Sequence, residues 1–260
     1  GVLARQIGTN NLPDCSNMCH ESSGVALSES IGIEKGTVKL SCFEKADLIL
    51  VIGQNPGTNH PRMLTALAAC KENGGSVVSI NPLEETAMKR FKHPQNPLHL
   101  IGRGVQIADE HLPVRIGGDA ALLQGFAKTI LSQGGADLDF ISANTLGFED
   151  WKKHIESTDW EKIVEQSGIS RDRIEKTGNA IAKSERMIVC WAMGLTQHEN
   201  SVAVIQEVSN LLLAGGHFGK PGAGACPVRG HSNVQGDRTV GVNHHPVSYT
   251  HLRAHETSRY

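Results

Sequence analysis

The sequence predicts an α/β fold with a doubly wound, mainly parallel sheet and helices on both faces. Short apolar runs that lead into polar loops alternate with stretches of helical periodicity, as in folds made of repeated strand–helix units. Aromatic residues make up only 4% of the 260 residues, so the core must be aliphatic, which suits α/β folds. Glycine is frequent, with 28 residues, and much of it lies where tight turns are expected.

The clearest strand–helix–strand unit lies in the first half of the chain. The apolar run in ADLILVIGQNP, residues 46–56, predicts a buried parallel strand that ends at Gly53. A helix follows, since Pro61 suits its first turn and the Gly74–Gly75 pair ends it. The run SVVSINP, residues 76–82, predicts a second strand. These elements form a right-handed βαβ unit, which makes the predicted fold Rossmann-like.

The same periodicity predicts the later elements. They are a short helix in 83–91, a loop with one short strand in 91–117, a helix in 117–135, short helices in 136–167, a helix in 169–184, a strand in 185–194 and a helix in 201–216. Ser170 is expected to cap the helix that follows it. Strand–helix units therefore recur at both ends of residues 40–216, as an open, doubly wound sheet requires.

Charge and hydropathy exclude several kinds of partner. The net charge is −2 and the pI is near 6.7, so no basic field is present to attract nucleic acid or an acidic membrane. No apolar run reaches the roughly 18 residues needed to span a bilayer, and the first residues lack the apolar core of a secretory signal. The six cysteines are spread along the chain, unlike those of a small disulfide scaffold. We therefore expect a protein of the reducing cytoplasm.

Polar loops follow three of the predicted strands, where ligands bind in doubly wound sheets. The loop at 53–60 combines glycines, amides and a hydroxyl, and it leads into a helix N-terminus that favours phosphate. The loop at 81–86 could contact a ribose or a base, and the loop at 194–199 is also polar. Any one of these loops could have a purely structural role, as turns and helix caps. The three together predict a nucleotide-type site. No G-x-G-x-x-G or P-loop pattern is present, so the ligand should differ from plain NAD or ATP.

The segment 216–241 is rich in glycine and cannot form a packed helix. A solvated linker would be richer in serine and charge and poorer in cysteine, valine and phenylalanine. We therefore predict an ordered loop that lies against a ligand. Arg229, near its centre, could hold an anion with its planar guanidinium.

Cys15, Cys19 and His20 lie close together in the sequence and allow several interpretations. A disulfide, a zinc site, a cysteine nucleophile and a redox-metal ligand are all open. A zinc site would lack an assigned fourth ligand, and residues adjacent in sequence seldom align as nucleophile and base. Taken alone, each cysteine is most simply a buried, inert thiol, and that interpretation is kept for Cys15.

Four motifs together resemble the molybdopterin oxidoreductases, and in particular their formate-dehydrogenase-like alpha (catalytic) subunits. The motifs are Cys-His-Glu at 19–21, VIGQNPGTNHPRM at 51–63, WAMGLTQH at 191–198 and GKPGAGACPVRGHSNVQGDRTVG at 219–241. They follow the order and spacing of the family, and the resemblance runs from about Gly8 to about Gly241.

The resemblance implies a molybdenum or tungsten ion held by two molybdopterin guanine dinucleotides, with a protein thiolate as a further ligand. Cys19 matches the metal-ligand position, His20 the histidine that accepts a proton, and Arg229 the arginine that pairs with a small anionic substrate. The family's cofactor-binding loops match fifteen further residues, namely Gly53, Asn55, Pro56, His60, Asn81, Glu84, Thr86, Gly194, Thr196, Gln197, Gly230, His231, Asn233, Gln235 and Gly236.

Two positions depart from the family pattern. Many formate dehydrogenases have Asp-Pro-Arg where this chain has Asn81-Pro82-Leu83, so contacts with the base or ribose are expected to differ. Several have glutamine where this chain has His231. Formate is therefore only the default substrate.

The resemblance also implies how the chain is divided. Residues 1–19 would end a preceding domain, 20–227 would form the Rossmann-like domain that binds the guanine dinucleotide, and 228–243 would return to the neighbouring domain. The family's N-terminal region, which often carries an iron–sulfur cluster, and its C-terminal pterin-binding domain are missing, so we expect an internal fragment. Residues 244–260 contain four histidines and resemble a translated sequencing-adapter peptide. We expect a foreign, disordered tail there, with a histidine-rich metal-binding segment as the alternative.

The hypothesis is a fragment of a molybdenum-dependent oxidoreductase that removes two electrons from a small anionic substrate, formate by default. The electrons would leave through a carrier that the chain does not encode. The isolated fragment is expected to be inactive, because half of the cofactor's binding surface is missing. The alternative is a non-catalytic nucleotide-binding module on the same fold.

Overall fold

The structure, a computed structural model, describes residues 2–9, 12, 15–95, 97, 101–231, 233–240 and 242. Backbone contacts divide the chain into two units, one of residues 20–230 and one of residues 1–19 with 231–260. The histidine-rich segment 244–260, for which we predict a foreign tail, lies outside the described residues.

One parallel sheet forms the centre of the unit 20–230. Its strands, among the described residues, are β1 (Leu48–Ile52), β2 (Ser76–Ile80), β3 (Glu110–Leu112), β4 (Met187–Trp191) and β5 (Gly224–Pro227). Their order across the sheet is β3-β2-β1-β4-β5, and every neighbouring pair is parallel. The chain winds outward from β1 in both directions, so the predicted doubly wound α/β fold is confirmed.

Helices connect and cover the strands. In the unit 20–230 they are α3 (Glu21–Ile31), α4 (Pro56–Asn59), α5 (Pro61–Glu72), α6 (Thr86–Lys89), α7 (Asp119–Ser132), α8 (Leu138–Asn144), α9 (Phe148–Ser157), α10 (Trp160–Ser167), α11 (Arg171–Lys183), α12 (Met193–Thr196) and α13 (Ser201–Ala214), with a 3₁₀ turn at Leu40–Lys45. Among the described residues, none of these helices combines the length and apolarity that a membrane span requires.

The alternation of side chains along β1 builds two hydrophobic cores, one on each face of the sheet. Leu48, Leu50 and Ile52 pack into the core that includes α3, α7, α11 and α13. Ile49 and Val51 pack into the other, which includes α5 and α6. All five residues are buried, as expected for a central strand that is covered on both faces.

The glycine-rich segment 216–241 differs from its prediction as an ordered loop, because it contains β5 and a short helix. Gly224 lies in β5 with φ +138°, and a Cβ there would come within 2.3 Å of the Thr37 Oγ1. That oxygen accepts a hydrogen bond from the Ala225 N–H at 3.0 Å, while the Thr37 N–H donates to the Ala225 carbonyl. Glycine is therefore needed at 224 for the close packing of β5 against Thr37.

Two smaller predictions also need correction. The helix predicted in 83–91 is limited to the four residues of α6. Ser170 occupies the N-cap position of α11, but its side chain makes no capping hydrogen bond, so the predicted cap interaction is wrong.

The unit of residues 1–19 and 231–260 contains short helices in its described part. They are α1 (Val2–Ile7), α2 (Ser16–Cys19) and α14 (Val234–Thr239). Asn233, which precedes α14, has φ +52°, a left-handed conformation that asparagine tolerates better than most residues. Cys15 in this unit is partly buried, in contrast to the fully buried thiol that we predict.

Candidate functional site

A cavity of about 380 Å³ lies at the carboxyl ends of β1, β2, β4 and β5 in the unit 20–230. Six of its lining residues are among those that the sequence predicts, namely Gly53, Asn55, His60, Asn81, Gly194 and Gly230. Six others were not among the individually predicted residues, although the first three belong to the predicted loops at 53–60 and 81–86, namely Gln54, Asn59, Glu85, Ala192, Met193 and Val228. The position agrees with the rule that ligands bind where the strand order of a doubly wound sheet reverses.

Two glycines bring the loops after β1 and β4 into direct contact at one side of this cavity. The Gly194 N–H donates to the Gly53 carbonyl at 3.0 Å. A Cβ on Gly53 would lie 2.7 Å from the Gly194 Cα, and Gly53 itself has φ +58°. Side chains are excluded at both positions, so the backbone forms the wall here.

An acidic residue that the prediction missed holds two predicted asparagines. The Asn55 Nδ2 donates to the Glu85 Oε2 at 2.6 Å, and the Asn81 Nδ2 donates to the Glu85 Oε1 at 3.1 Å. The Asn55 Oδ1 caps α4 by accepting from the Thr58 N–H, and the Asn81 Nδ2 also donates to the Leu83 carbonyl. The Asn81 Oδ1 is therefore the atom of that amide that remains for a ligand.

The orientation of Gln54 follows from a chain of hydrogen bonds. The Arg229 carbonyl can only accept, so the His60 Nε2 at 3.0 Å must carry a proton, and in a neutral ring the His60 Nδ1 is then an acceptor. The Gln54 Nε2 lies 3.4 Å from that Nδ1 and donates to the Met63 Sδ at 3.1 Å. The Gln54 Oε1 is then left buried, without a hydrogen-bond partner among the described residues.

Gln54 lines the cavity, but this oxygen is enclosed by protein, so a ligand there reaches it only if the side chain turns. Leaving such a group unpaired costs about 1–3 kcal/mol, which a ligand N–H or O–H donor would recover. Gln54 is part of the motif at 51–63, so the sequence indicates that this residue could contact a ligand. The sequence does not show which of its side-chain atoms lacks a hydrogen-bond partner.

His20 is buried beside the last strand of the sheet. Burial, and after it the positive charge of Arg229, lower the pKa of His20 to about 4, while the Val228 backbone oxygen acts in the opposite direction. His60 also lowers this pKa. At neutral pH the imidazole is uncharged, as a group that accepts a proton must be.

Arg229, predicted as the anion anchor, is partly exposed and lies two residues after the end of β5. Its Nη2 donates to the Glu34 carbonyl at 2.9 Å. This bond holds one edge of the guanidinium, and its positive charge lies near enough to His20 to lower the pKa of that imidazole. The structure thus brings together His20, His60 and Arg229, residues that are far apart in the sequence.

Five predicted cofactor residues of this unit do not line the cavity. Pro56 is buried at the start of α4, Glu84 forms an ion pair with Lys89, and Thr86 begins α6. Thr196 is buried at the end of α12 and its carbonyl accepts from the Ser22 hydroxyl, while Gln197 follows that helix. Their predicted contacts with a cofactor remain predictions.

The other predicted residues belong to the unit of residues 1–19 and 231–260. Cys19 is buried at the end of α2, and the peptide bond joins it to His20. His231 is exposed, and Asn233, Gln235 and Gly236 lie at or within α14. Whether the Cys19 thiol faces the same crevice as Arg229 remains a prediction.

The zinc alternative receives no support from the part of the chain that the structure describes. There, no group of three or more His, Cys, Asp or Glu side chains is arranged to hold a metal ion. Cys15, Cys19 and His20 therefore do not form such a cluster.

Comparison with known proteins gives one family. The family model for molybdopterin oxidoreductases matches residues 2–257. An uncharacterised oxidoreductase of Mycobacterium tuberculosis is 48% identical over 247 residues, which are 93% of this chain and 32% of that protein. Protein YdeP of Escherichia coli is 47% identical over 256 residues, 94% of this chain and 34% of that protein.

Formate dehydrogenase H of Escherichia coli is more distant, with 30% identity over 237 residues, 91% of this chain and 31% of that protein. The chain thus spans about a third of the length of these relatives. Among solved structures, acetylene hydratase from Pelobacter acetylenicus has the same fold, with a TM-score of 0.70 and 22% identity over 86% of this chain and 28% of that one.

Proposed function

Because this chain belongs to the molybdopterin oxidoreductase family, we propose that it forms the dinucleotide-binding part of a molybdenum- or tungsten-dependent oxidoreductase. The proposed reaction is the two-electron oxidation of a small anionic substrate, with formate as the default. The cofactor would be the bis-molybdopterin guanine dinucleotide form.

The cavity at the carboxyl ends of the strands is the observation that supports this proposal most directly. It is lined by loops that the family motifs single out, and polar side chains of those loops, among them Gln54 and Asn81, line it. The residues present therefore fit a ligand with N–H donors, such as a pterin or a guanine ring. Asn81 would offer its Oδ1, and the backbone of Gly53 and Gly194 would form a wall beside the ligand.

When bound, the cofactor would supply the metal centre that takes two electrons from the substrate. Cys19 would offer a thiolate, a ligand that soft metal centres prefer. His20 would accept the proton that the substrate releases, and its neutral state at physiological pH suits that role. Arg229 would pair with the carboxylate of the substrate through its planar guanidinium.

The proposal concerns a protein longer than this chain. Residues 20–227 would be the Rossmann-like domain, flanked by parts of a neighbouring domain in 1–19 and 228–243. An iron–sulfur cluster would lie in a region outside this sequence and would pass electrons to a partner. We propose that the whole protein works in the cytoplasm.

Metal analysis of the full-length protein that contains this sequence tests the proposal. We expect near-stoichiometric molybdenum or tungsten and formate-dependent dye reduction. Cys19→Ala should lose the metal, whereas Cys15→Ala should keep it, since Cys15 is only partly buried and has no proposed role. Arg229→Lys should raise KM for formate more than it lowers kcat, because lysine cannot replace the planar fork.

Other results of these experiments would favour a different function or a different substrate. Binding of guanosine diphosphate without any molybdenum or tungsten would favour the non-catalytic nucleotide-binding module. Metal binding without formate oxidation would keep the family chemistry and reject the substrate. The isolated 260-residue chain should show no dye reduction with formate, and turnover by that chain would contradict the view that half of the cofactor-binding surface lies elsewhere.

A further inference from the structure

One carboxyl group lies in the wall of the cavity at the carboxyl ends of the strands. Among the lining residues that the structure describes, Glu85 is the only Asp, Glu, Lys or Arg. It is partly buried and forms no ion pair with any described residue. Its neighbour Glu84 pairs with Lys89 and does not line the cavity. Among the described lining residues, a negative charge in this wall can therefore come only from Glu85.

The Glu85 side chain is bonded to two other loops and not to its own helix. Glu85 is the N-cap residue of α6, but its side chain makes no capping hydrogen bond there. α4 packs closely against α6, since a Cβ on Gly57 would lie 2.3 Å from the Ala87 Cβ. This packing brings Asn55, the N-cap residue of α4, to Glu85, and the Asn55 Nδ2 donates to the Glu85 Oε2 at 2.6 Å.

The bonds of Glu85 determine which atoms this wall presents to a ligand. Both of its oxygens accept from amide nitrogens, one of Asn55 and one of Asn81, which is the bonding pattern of a carboxylate. Asn81 is thus held with its nitrogen towards Glu85 and its Oδ1 free for a ligand. Unlike the Gln54 Oε1, this oxygen is not enclosed by protein. Because a carboxylate has about four acceptor positions, Glu85 can also accept from a ligand.

We infer that Glu85 is a positioning and specificity-determining residue, which makes this wall a surface of acceptors and so selects a ligand group with N–H or O–H donors. In the cofactor of the proposed function, on which the identity of the ligand rests, such donors occur on the guanine ring and on the ribose. Glutamine at position 85 would place its NH₂ group against the nitrogen of Asn55 or of Asn81. That asparagine would then have to turn, and the wall would lose its uniform acceptor character.

The orientation of the two amides can be measured without a ligand. In the 260-residue chain labelled with ¹⁵N-asparagine, Asn55→Asp and Asn81→Asp identify the two NH₂ signals by their loss. We expect both groups to exchange slowly with solvent, and Glu85→Gln to accelerate the exchange of at least one about tenfold or more. Glu175→Gln removes a carboxylate that pairs with Arg171 on α11 and is the matched control without effect. Fast exchange in the parent chain, or unchanged exchange in Glu85→Gln, would overturn the inference.

Nucleotide analogues test which donor Glu85 selects. The probes are guanosine diphosphate, inosine diphosphate, which lacks the 2-amino group of the base, and 2′-deoxyguanosine diphosphate, which lacks one ribose hydroxyl. Full-length protein from cells that cannot make the pterin should bind one analogue about tenfold or more weakly than guanosine diphosphate, and Glu85→Gln should abolish this preference. Equal affinities or no binding in the parent, or a preference that persists in Glu85→Gln, would overturn the inference. So would a larger effect of Glu84→Gln than of Glu85→Gln.

The cofactor content of the full-length protein from normal cells separates this inference from the proposed function. Glu85→Gln should lower the pterin content per protein severalfold, and Glu175→Gln should leave it unchanged. Unchanged pterin in Glu85→Gln, with near-stoichiometric metal in the parent, would reject the inference and keep the proposed function. A nucleotide preference that depends on Glu85, in a parent that contains neither pterin nor metal, would support the inference and reject the proposed function.

Discussion

At the scale of single residues, the side chains of the cavity are oriented by partners that are distant in the sequence. The two carboxylate oxygens of Glu85 accept hydrogen bonds from Asn55 and Asn81. The Arg229 carbonyl accepts from His60 and so fixes the orientation of that ring, which in turn contacts Gln54. Such bonds determine whether an amide offers a donor or an acceptor to a ligand. The sequence identifies the loops, but it does not reveal these orientations, because they depend on which residues meet in space.

The buried oxygen of Gln54 leads to a prediction about the cofactor. In the full-length protein, Gln54→Leu should lower the pterin content per protein severalfold, because the cavity loses its acceptor for a ligand N–H. Oxidation to the fluorescent pterin and quantification by chromatography would measure the content. Stability without cofactor should change by about 1 kcal/mol or less, since the substitution also removes an unpaired buried acceptor.

Gln106→Leu is the matched control for this prediction. Gln106 is a glutamine of the same unit that lies away from the cavity and donates to the Ala108 carbonyl. Its substitution should leave the pterin content unchanged. Equal losses in both variants would mean that the effect is general and that Gln54 does not contact the cofactor.

At the scale of elements, hydrophobic periodicity predicts the strands that consist of continuous apolar runs. It misses β5, which does not. β1 and β4 are continuous apolar runs, so their existence and approximate bounds can be predicted from sequence. β5 is Gly-Ala-Cys-Pro and carries no such pattern. It is stabilised by its pairing with β4 and with the backbone near Thr37, which are tertiary contacts that a local pattern does not encode.

The packing of β5 predicts a cost for any side chain at Gly224. Ala there would adopt φ +138° and place its Cβ 2.3 Å from the Thr37 Oγ1 and 3.1 Å from the Val38 Cγ1. Strain and crowding each cost about 1–3 kcal/mol, so Gly224→Ala should lower the free energy of unfolding by roughly 3 kcal/mol. Urea unfolding followed by tryptophan fluorescence would measure the change.

Gly74→Ala separates the two contributions. Gly74 also has a positive φ, +86°, but a Cβ there would meet nothing within 4 Å. Only conformational strain applies, so we expect a loss of about 1–2 kcal/mol. If both substitutions cost the same, the close contact between β5 and Thr37 would be refuted.

The contact between α7 and α11 gives a prediction in which two effects have opposite signs. A Cβ at Gly178 of α11 would lie 2.6 Å from the Thr129 Cβ of α7. Thr129 cannot turn away easily, because its hydroxyl donates to the Gly125 carbonyl at 2.9 Å. Alanine gains about 1 kcal/mol of helix propensity over glycine, whereas overpacking costs about 1–3 kcal/mol. Gly178→Ala should therefore destabilise the protein by about 1 kcal/mol in thermal or urea unfolding.

Ala180→Gly in the same helix measures the propensity effect alone. Ala180 is exposed, so its replacement should cost about 1 kcal/mol without any change in packing. A stabilising effect of Gly178→Ala of the same size would show that α7 and α11 are farther apart than the structure has them.

At the scale of the whole molecule, buried ionisable groups make stability depend on pH in opposite directions. Burial raises the pKa of Asp119 to about 6, against the nearby charge of His198 and a hydrogen bond from its own backbone, which lower it. Burial also lowers the pKa of His217 to about 4, assisted by Lys220 and opposed by the Glu185 backbone and by the carboxylates of Asp137 and Asp47. Both groups titrate between about pH 4 and pH 6.5, so their effects largely cancel in the intact chain.

Replacing either Asp119 or His217 should reveal the pH dependence of stability that the other residue contributes. The folded state holds the Asp119 proton more tightly than the unfolded state, so this residue makes folding less favourable as pH rises from about 4 to about 6. Asp119→Asn should therefore match the parent at pH 4 and exceed its free energy of unfolding by about 3 kcal/mol at pH 7, which corresponds to a shift of about two pKa units. His217→Gln should show the reverse. The free energy of unfolding of this variant should fall increasingly below that of the parent as pH rises from 4 to 6.5. The reason is that the parent gains stability over this range, where its imidazole is neutral in the folded state but still partly protonated in the unfolded state. Urea unfolding at half-unit pH intervals would measure both differences, and parallel profiles for the parent and the two variants would mean that neither side chain is buried as the structure has it.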